Sequence, residues 1–497
     1  MTPIARFVFL GCVVFLVGCQ DGSASMEGRD AASDPDAGTE RDAGGVDGGT
    51  RDSAIPIDSG ERDSARPDPD AGAIEPARGC AETNEAIVAA TEGVIRVSPM
   101  GDGVVMVEGA GRMSLRNAIR RAEEGDTVLL EDGVYTLPEA EGGGFSGIFM
   151  TTPNVTVRGA SGNAADVIID SAYRLHGGSS GAISVDAPGV TLANFTVRRA
   201  VYHLIHLWAD GDDALIHNVV LLDGGQQFLK ASPGSRASVD NVEVSCSTFR
   251  MTTEGRDNVW GYGALDGNTS CYTGGIDSHD SRDWHIHDSY FEGIYCNPDG
   301  PRRPVHGRAP GDRGDQTYVG GLSEHAIHMW DSAEGSGHLI ERNRIVDCAR
   351  GIGLGFRTEV YGSLIRNNMI FSRFAGSREH DVGIGVERAR DTRIDHNTVF
   401  YSHPDAYPNR IEFRFDSTAN LAIRNNLVNG QIRARNGASA DMDGNITDAE
   451  AGWFADAEGG DLHLASCEVA AGSDVGAETD YDGAPRSRYT IGADECE

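Results

Sequence analysis

Carboxylate, imidazole and amine side chains that could carry acid–base chemistry recur in the middle of the chain. Asp277 and His279 stand two positions apart, and His328 lies in a second histidine-rich stretch. A carboxylate beside an imidazole orients the ring and raises its pKa, so His328 is a candidate general acid or base with Asp277 as its orienter. Lys230 is the only lysine among the 42 basic residues. Because lysine, unlike arginine, can lose its proton when it is desolvated, Lys230 is a second candidate base.

Arginines that could bind an anionic substrate follow these residues. The stretch 342–435 contains fifteen arginines and ten acidic residues, although the whole chain has a formal charge of −34. Guanidinium forks suit carboxylate and sulfate, so the predicted partner is an acidic polysaccharide, and the acidic chain argues against nucleic acid. A merely solubilising surface is the alternative. Glu412 is a further catalytic candidate beside these arginines. The residues predicted to bind the substrate are Trp330, Arg350, Gly353, Asp381, Gly383, Arg410 and Arg414.

A sequence repeat must position these side chains. The pattern Ile327…Asn343 recurs 25 positions later, and the pattern Ile394…Asn397 recurs 29 positions later. Self-similarity at this period indicates a solenoid, and the β-branched residues indicate strands rather than helix pairs. Four asparagines are predicted to stack at one turn, where asparagine tolerates a left-handed backbone and side-chain amides can bond along the stack. They are Asn343, Asn368, Asn397 and Asn426.

Stacking the repeats predicts which residues share the outer surface. The residues aligned as inward are Leu229, Ile276, Ile327, Ile352, Val382, Ile411 and Ile432. The outward column is then Lys230, Asp277, His328, Gly353, Gly383, Glu412 and Arg433, and the next column is Ser232, His279, Trp330, Gly355, Gly385, Arg414 and Arg435. Two glycine coils between polar coils predict a groove whose floor holds a sugar ring, with Trp330 stacking on it. The five steps from Lys230 to Glu412 span about 24 Å. Alternatively, the glycines only permit bends or close approach.

The two ends of the repeat region suggest caps. Leu115, Ala118 and Ile119 follow Ser114 at helical spacing, and a short amphipathic helix there would cover the exposed end of the strand stack. The helix is followed by Gly-Asp-Thr at 125–127 and Gly-Val-Tyr at 133–135. This opening resembles that of right-handed parallel β-helix proteins of the pectate-lyase-like superfamily. The segment 480–495 resembles a terminal motif of secreted bacterial β-helix proteins.

The resemblance implies an all-β, right-handed parallel β-helix solenoid with a short N-terminal capping helix. We expect the cap and first coil at 80–135, the β-helix at 136–460 and a C-terminal cap at 461–497. Proteins of this fold include lyases, hydrolases, epimerases and binding spikes, so the fold alone does not select an activity. Residues 224–230 resemble the lysine segment of the calcium-dependent lyases, with glutamines where acids are expected. No cofactor is therefore predicted, and a divalent cation such as calcium is the alternative.

Three functions are compatible with these residues. The leading hypothesis is β-elimination on a uronate-containing polysaccharide, in which Arg410 or Arg414 neutralises the carboxylate and His328 or Lys230 is the base. A glycoside hydrolase would instead need two carboxylates across one bond, with Asp277, Asp381 and Glu412 as candidates. A glycan-binding adhesin would bind the polymer and leave it intact.

The amino terminus predicts export. Arg6 and the apolar run 7–17 have the form of a secretion signal that is too short to span a membrane, and the Leu-Val-Gly-Cys sequence ending at Cys19 resembles the bacterial lipoprotein box. The resemblance implies a signal peptide at 1–18 and lipidation of Cys19. Because Gln20 rather than Asp follows Cys19, retention in the inner membrane is not signalled, and we expect attachment to the outer membrane. The chain is expected to be a monomer. Residues 20–79 contain fifteen acidic residues, six arginines and almost no large apolar residue, which is typical of a disordered linker. An ordinary signal peptide is the alternative.

Cysteines in an exported chain favour disulfides. Cys467 with Cys496 would fix the carboxyl terminus, and Cys246 with Cys271 would close an insertion. An odd number of cysteines follows Cys19, so one of them is left free or one pairing is wrong.

Overall fold

The computed structural model describes residues 80–89, 93–141, 144–177, 181–232, 238–259, 261–263, 269–296, 322–332, 334–356, 358–376 and 380–496. The predicted signal peptide, the lipidation site Cys19 and the acidic linker lie outside these residues. Within the described ranges, none of the helices has both the length and the apolar character needed to cross a membrane.

Parallel strands stack coil upon coil and form three faces. Face one consists of β1 (Val94–Gly101), β4 (Thr127–Leu130), β7 (Thr156–Gly159), β10 (Thr191–Ala200), β12 (Leu215–Gly224), β15 (Glu243–Ser245), β21 (His285–His287), β24 (Leu339–Glu341), β28 (Leu364–Arg366), β32 (Arg393–Asp395), β35 (Leu421–Arg424) and β38 (Ala440–Asp443). Face two contains the second halves of β10 and β12 together with β5 (Gly133–Thr136), β8 (Val167–Asp170), β16 (Thr248–Arg250), β22 (Tyr290–Glu292), β25 (Arg344–Val346), β29 (Met369–Ser372), β33 (Thr398–Tyr401) and β36 (Leu427–Val428). Face three consists of β6 (Ile148–Met150), β9 (Ile183–Val185), β11 (Ile205–Leu207), β13 (Leu229–Ala231), β19 (Ile276–Ser278), β23 (His325–Met329), β26 (Arg350–Leu354), β30 (Ile384–Glu387), β34 (Asn409–Arg414) and β37 (Gln431–Arg435).

Short elements complete the described structure. The helices are α1 (Cys80–Ala89), α2 (Leu115–Ile119), α3 (Thr253–Asp257) and a 3₁₀ turn at Ala451–Trp453. The remaining strands are β2 (Val104–Val107), β3 (Gly111–Ser114), β14 (Val239–Asp240), β17 (Gly261–Gly263), β18 (Thr269–Cys271), β20 (Ser281–Arg282), β27 (Val360–Tyr361), β31 (Ala389–Arg390), β39 (Phe454–Asp456) and β40 (Asp461–Leu464). The predicted all-β, right-handed parallel β-helix is confirmed.

The interior of the coil is apolar and the predicted capping helix is present. Leu229, Ile276 and Ile327 are fully buried and stack on one another from coil to coil. Because each coil buries its apolar side only against its neighbours, the first coil needs a cover. Helix α2 provides part of it, and the side chain of Ser114 caps its first turn by accepting a hydrogen bond from the backbone N–H of Asn117.

A ladder of buried asparagines runs along one turn, as predicted. The Nδ2 of Asn343 donates to Oδ1 of Asn368 over 3.1 Å, and the same bond links Asn368 to Asn397 and Asn397 to Asn426 over 3.0 Å. The ladder continues to Asn445. The expected bonding between side-chain amides along the stack is confirmed. The expected left-handed backbone at these asparagines is wrong, because it belongs to the preceding residues. Those residues are Arg342, Asn367, His396 and Asn425.

Replacing Asn397 by alanine is expected to lower the free energy of unfolding by about 2–3 kcal/mol, because it leaves several buried amide partners unsatisfied. Asn397 is fully buried, and its Nδ2 also donates to the carbonyl of Ile365 over 3.0 Å. Urea denaturation followed by circular dichroism measures the loss. The matched control is Asn163→Ala, since Asn163 is exposed and a surface change costs about 0.5 kcal/mol or less. Equal losses in the two variants would show that the ladder does not stabilise the coil.

A cluster of charged side chains on face one gives the fold a pH dependence. In β21, Nδ1 of His287 lies 2.5 Å from Oδ2 of Asp288, and its Nε2 lies 3.4 Å from Oε1 of Glu243. Burial opposes a charge on the imidazole, but hydrogen bonds to these two carboxylates outweigh burial and raise the pKa of His287 to about 9. His287 is therefore protonated in the fold at neutral pH.

The free energy of unfolding is expected to fall between about pH 6.5 and pH 9. A histidine whose pKa is raised in the folded state stabilises the fold fully below its unfolded pKa, near 6.5, and loses this contribution as the pH rises through 9. Urea denaturation below pH 6.5, near neutral pH and above pH 9 measures the slope. His287→Gln should reduce it. An unchanged slope in this variant would assign the pH dependence to other groups.

The disulfides differ in part from the prediction. Cys467 pairs with Cys496 as predicted. The predicted Cys246–Cys271 pair is wrong, because Cys246 pairs with Cys80 of α1 and Cys271 pairs with Cys296. Position around the coil, rather than closeness in sequence, decides which cysteines meet. Among the described cysteines Cys348 is free, and it is buried.

Candidate active site

The register of face three brings the predicted catalytic residues together. Leu229 pairs with Ile276, and Ile276 with Ile327, so the next residues Lys230, Asp277 and His328 stand in one column on three neighbouring coils. This part of the predicted stacking is confirmed. The column continues through Gly353, Gly385, Glu412 and Arg433.

The predicted register of one coil is wrong by two residues. Ile384, not Val382, pairs with Ile352, so Gly385 takes the outward position assigned to Gly383. A Cβ on Gly383 would lie 2.6 Å from Cγ1 of Val399, which belongs to the core. Gly383 therefore faces the interior and is not part of a groove floor. The apolar residues of this strand alternate regularly, so the sequence is compatible with both registers.

Gly353 does not form an open floor of the predicted groove either. A Cβ on Gly353 would lie 2.7 Å from Cδ2 and Nε2 of the His325 imidazole. The ring of His325 thus covers the backbone of the neighbouring coil. Glycine at this position therefore permits the close approach of a side chain and does not form the floor of a sugar-binding groove.

Lys230 and Asp277 form a buried ion pair. Nζ of Lys230 contacts Oδ2 of Asp277, and the two residues are 5% and 1% exposed. Burial opposes the charge on Lys230, but the carboxylate of Asp277 outweighs it and raises the pKa of Lys230. The ammonium and hydrogen bonds likewise outweigh burial and lower the pKa of Asp277. Lys230 is thus held as a cation, which does not suit the predicted role of a base.

His328 lies beside this pair but has a different character from the predicted one. Its Nδ1 is 3.9 Å from Oδ1 of Asp277, and its Nε2 donates to the carbonyl oxygen of Gly355 over 3.1 Å. Burial lowers the pKa of His328 to about 4, although Asp277 acts in the opposite direction. Asp277 acts to raise this pKa as predicted, but the net direction is downward, because His328 is only 4% exposed and desolvation dominates.

His279 is the most accessible imidazole beside Asp277. Its Nε2 lies 3.5 Å from Oδ2 of Asp277, and its side chain is 36% exposed. The indole of Trp330 stacks on it with ring centroids 4.5 Å apart, and Phe356 contacts Trp330 edge-on with ring centroids 4.7 Å apart. Phe356 is exposed. The His279 imidazole and the Phe356 ring therefore lie at the solvent edge of the site, beside the buried carboxylate of Asp277.

Arg350 brings a second cation to the same cluster. Its Nε lies 3.1 Å from Oδ2 of Asp381, and its side chain is 27% exposed. Burial opposes its charge, but Asp381 and Glu324 outweigh burial and raise the pKa of Arg350. Both Arg350 and His279 also affect the pKa of His328. The positions of Arg350 and Asp381 are consistent with their predicted place near the site.

The predicted far wall does not join this cluster. Glu412 stands three coils from His328, where its carboxylate accepts hydrogen bonds from Asn409 Nδ2 over 2.6 Å and Arg435 Nη1 over 2.8 Å. Arg410 packs over the Tyr401 ring at 4.1 Å and is 6% exposed, so it does not present its guanidinium to a substrate as predicted.

Arg414 belongs to the second outward column and is already paired. It stands beside Glu387 rather than Gly385, because the coil that precedes it is shifted by two residues. Its Nη1 donates to Oε1 of Glu387 over 2.9 Å. The predicted glycine floor next to Arg414 is therefore replaced by an ion pair.

Two residues of the site were missed in the sequence. His206 precedes Lys230 in the same column, and neither ring nitrogen has a hydrogen-bond partner in the described part of the chain. Trp208 stacks on His206 with centroids 4.0 Å apart. Ile205 lies 24 positions before Leu229, close to the repeat length, so extending the alignment by one coil could have identified both residues.

Among the residues that the structure describes, two groups of side chains could hold a metal ion. Glu324, His325 and His328 each bring one ligand atom within 4.8 Å of the others, and so do Asp480, Asp482 and Asp494 in the C-terminal segment. The first group belongs to the site on face three. Two imidazoles and one carboxylate do not resemble the all-oxygen set that calcium prefers.

Comparisons with known proteins give fold likenesses only. No family model matches the chain, and no curated protein matches its sequence. The pectate lyase Pel9A structure has a TM-score of 0.46 and 14% identity, covering 82% of this chain and 97% of that one. The A-module of mannuronan C-5 epimerase AlgE4 from Azotobacter vinelandii has a TM-score of 0.39 and 16% identity, covering 70% and 94%. A PL6 alginate lyase in complex with a trisaccharide has a TM-score of 0.38 and 12% identity, covering 73% and 82%. These values transfer neither a substrate nor a catalytic residue to this chain.

Proposed function

We propose that this protein acts on a uronate-containing polysaccharide by β-elimination on the outer side of face three. The observation that carries the proposal is the group formed by Lys230, Asp277 and His279, in which an ammonium and an imidazole share one buried carboxylate. Because His279 already stacks on Trp330, the aromatic surface left for a sugar ring is the exposed ring of Phe356, which contacts Trp330 edge-on.

β-Elimination on a uronate requires three contributions from the protein. The carboxylate of the sugar must be neutralised, the proton on the adjacent ring carbon must be removed, and the polymer must be held across the site. When the proton leaves, its electron pair forms a carbon–carbon double bond and the glycosidic carbon–oxygen bond breaks. The released oxygen takes up a proton from solvent, so the product carries one unsaturated end and one new reducing end.

The side chains of face three can be assigned to these contributions. His279 is the base, because it is the exposed imidazole next to Asp277, which orients the ring. Arg350, whose side chain is partly exposed beside Asp381, neutralises the substrate carboxylate. Lys230 is a positioning residue that fixes Asp277. This assignment replaces the base roles predicted for His328 and Lys230 and the neutralising roles predicted for Arg410 and Arg414.

A screen of acidic polymers tests the proposal. The full chain is incubated with alginate, pectate and glycosaminoglycans, and the ultraviolet absorbance of the new double bond is followed. The expected result is a rise in absorbance with at least one of these polymers. Polymer binding without cleavage would overturn the proposal in favour of an adhesin. Release of reducing ends without the absorbance would overturn it in favour of a hydrolase.

Export and membrane attachment are part of the same proposal. The lipoprotein-like sequence ending at Cys19 would attach the chain to the outer membrane, with 20–79 as a tether. Metabolic labelling with a radioactive fatty acid tests this, since Cys19→Ala should abolish the label. A labelled Cys19→Ala variant would contradict it.

A further inference from the structure

Three side chains around the start of β23 form a compact set of possible metal ligands. One ligand atom each of Glu324, His325 and His328 lies within 4.8 Å of the others. The two imidazoles have centroids 4.4 Å apart and are tilted by 40°. They meet because Gly353 leaves room for His325 to lie over the neighbouring coil. A side chain at Gly353 would displace this ring.

Buried ring nitrogens of the two histidines are available to bind a metal ion. Nδ1 of His325 and Nδ1 of His328 are buried and have no hydrogen-bond partner among the described residues. Since Nε2 of His328 donates to the carbonyl of Gly355 over 3.1 Å, its Nδ1 carries a lone pair. A histidine that donates its second ring N–H to a backbone carbonyl is the usual arrangement of a metal-ligating imidazole.

A neighbouring carboxylate oxygen is also buried without a hydrogen-bond partner among the described residues. This oxygen is Oδ1 of Asp277, and it faces Nδ1 of His328 at 3.9 Å. Two buried acceptors that face each other without a donor between them are unfavourable, and a bound cation would remove this cost. The adjacent cations Lys230 and Arg350 are already paired with Asp277 and Asp381, so they do not exclude a further positive charge.

We infer that Glu324, His325 and His328 bind a late first-row divalent cation, for which zinc is the natural occupant. Two imidazole nitrogens and one carboxylate oxygen form the donor set that zinc takes with an open fourth position, whereas calcium and magnesium prefer oxygen ligands. Binding of the cation does not depend on the proposed function, because the ligands are complete without a substrate. The inference also departs from the sequence prediction that no cofactor is needed.

Metal binding to the full chain tests the inference with zinc and cobalt as probes. The protein is freed of metal by a chelator, dialysed against Zn²⁺ or Co²⁺ and analysed for metal content and for the visible spectrum of Co²⁺. The expected result is about one ion per chain, a tetrahedral Co²⁺ spectrum and a higher melting temperature with Zn²⁺. His328→Ala and Glu324→Gln should each weaken binding, by about 100-fold and 10-fold respectively, in line with the tenfold or greater losses seen when metal-site contacts are removed.

Two controls separate this site from other ligands in the chain. Asp482→Asn alters the acidic group of the C-terminal segment and should leave Zn²⁺ binding unchanged. A cobalt–thiolate absorption band would place the ion on Cys348 and overturn the inference. Absence of stoichiometric binding, or full binding by folded Glu324→Gln and His328→Ala variants, would also overturn it. None of these outcomes depends on whether a polysaccharide is cleaved.

Discussion

Replacing His279 by glutamine is expected to lower the rate of polymer cleavage by about 10²–10⁴-fold, the usual contribution of a general base. Glutamine keeps the size and polarity of the side chain but cannot take the proton from the sugar. Because His279 does not bind the carboxylate of the substrate in our assignment, binding of the polymer should change little. Initial rates with saturating and limiting polymer therefore show a loss in kcat rather than a rise in KM.

The chain offers a matched control for this variant. His285 of face one has a side chain that is also 36% exposed, and its Nε2 lies 3.1 Å from a carboxylate oxygen of Glu341, as Nε2 of His279 lies 3.5 Å from one of Asp277. His285→Gln should keep the activity within a factor of about two, since a change remote from the chemistry touches no reacting group. If both variants retained activity, the base would have to be sought elsewhere, and if both lost it, the loss would reflect folding.

Replacing Asp277 by alanine is expected to destabilise the fold by about 3–5 kcal/mol. The change leaves the ammonium of Lys230 buried without its carboxylate, and an uncompensated buried charge costs far more than the pair contributes. Urea denaturation measures this loss. The double variant Lys230→Met with Asp277→Leu removes both charges and should recover most of the stability, to within about 1–2 kcal/mol of the original chain.

An exposed ion pair provides the comparison for this prediction. Arg424 and Asp441 form a salt bridge whose side chains are 35% and 69% exposed, and solvent screens it. Asp441→Ala should therefore cost about 1 kcal/mol or less. A loss in Asp277→Ala no larger than that in Asp441→Ala would show that the Lys230 ammonium is solvated, contrary to its burial on face three.

The sequence predicted the fold and the central column of the site correctly because both depend on the period of the repeat. Once Leu229, Ile276 and Ile327 are recognised as inward, the residues after them must stand on one face. The same logic failed at Val382, because Val382, Ile384 and Val386 offer inward residues in two registers. Only the length of the turn before β30 decides between them, and that length has no simple signature in the sequence.

The environment of the site residues could not be predicted from the repeat. The pattern places His328 on the outer face, but it does not show that the ring is buried, so the direction of its pKa shift was wrong. The position of the His325 ring over Gly353 and the stacking of Arg410 on Tyr401 depend on side-chain rotamers at the strand ends. Such contacts follow from packing in three dimensions and not from spacing along the chain.

The stoichiometry of cleavage tests the central claim most directly. Wild-type protein is incubated with the acidic polymer found in the screen, and double bonds, by ultraviolet absorbance, and new reducing ends, by a chemical assay, are counted in the same samples. β-Elimination on face three predicts one unsaturated end for every new reducing end, and formation of both should be about 10²–10⁴-fold slower in the His279→Gln variant. Reducing ends that accumulate without double bonds, or equal cleavage by the variant, would contradict it.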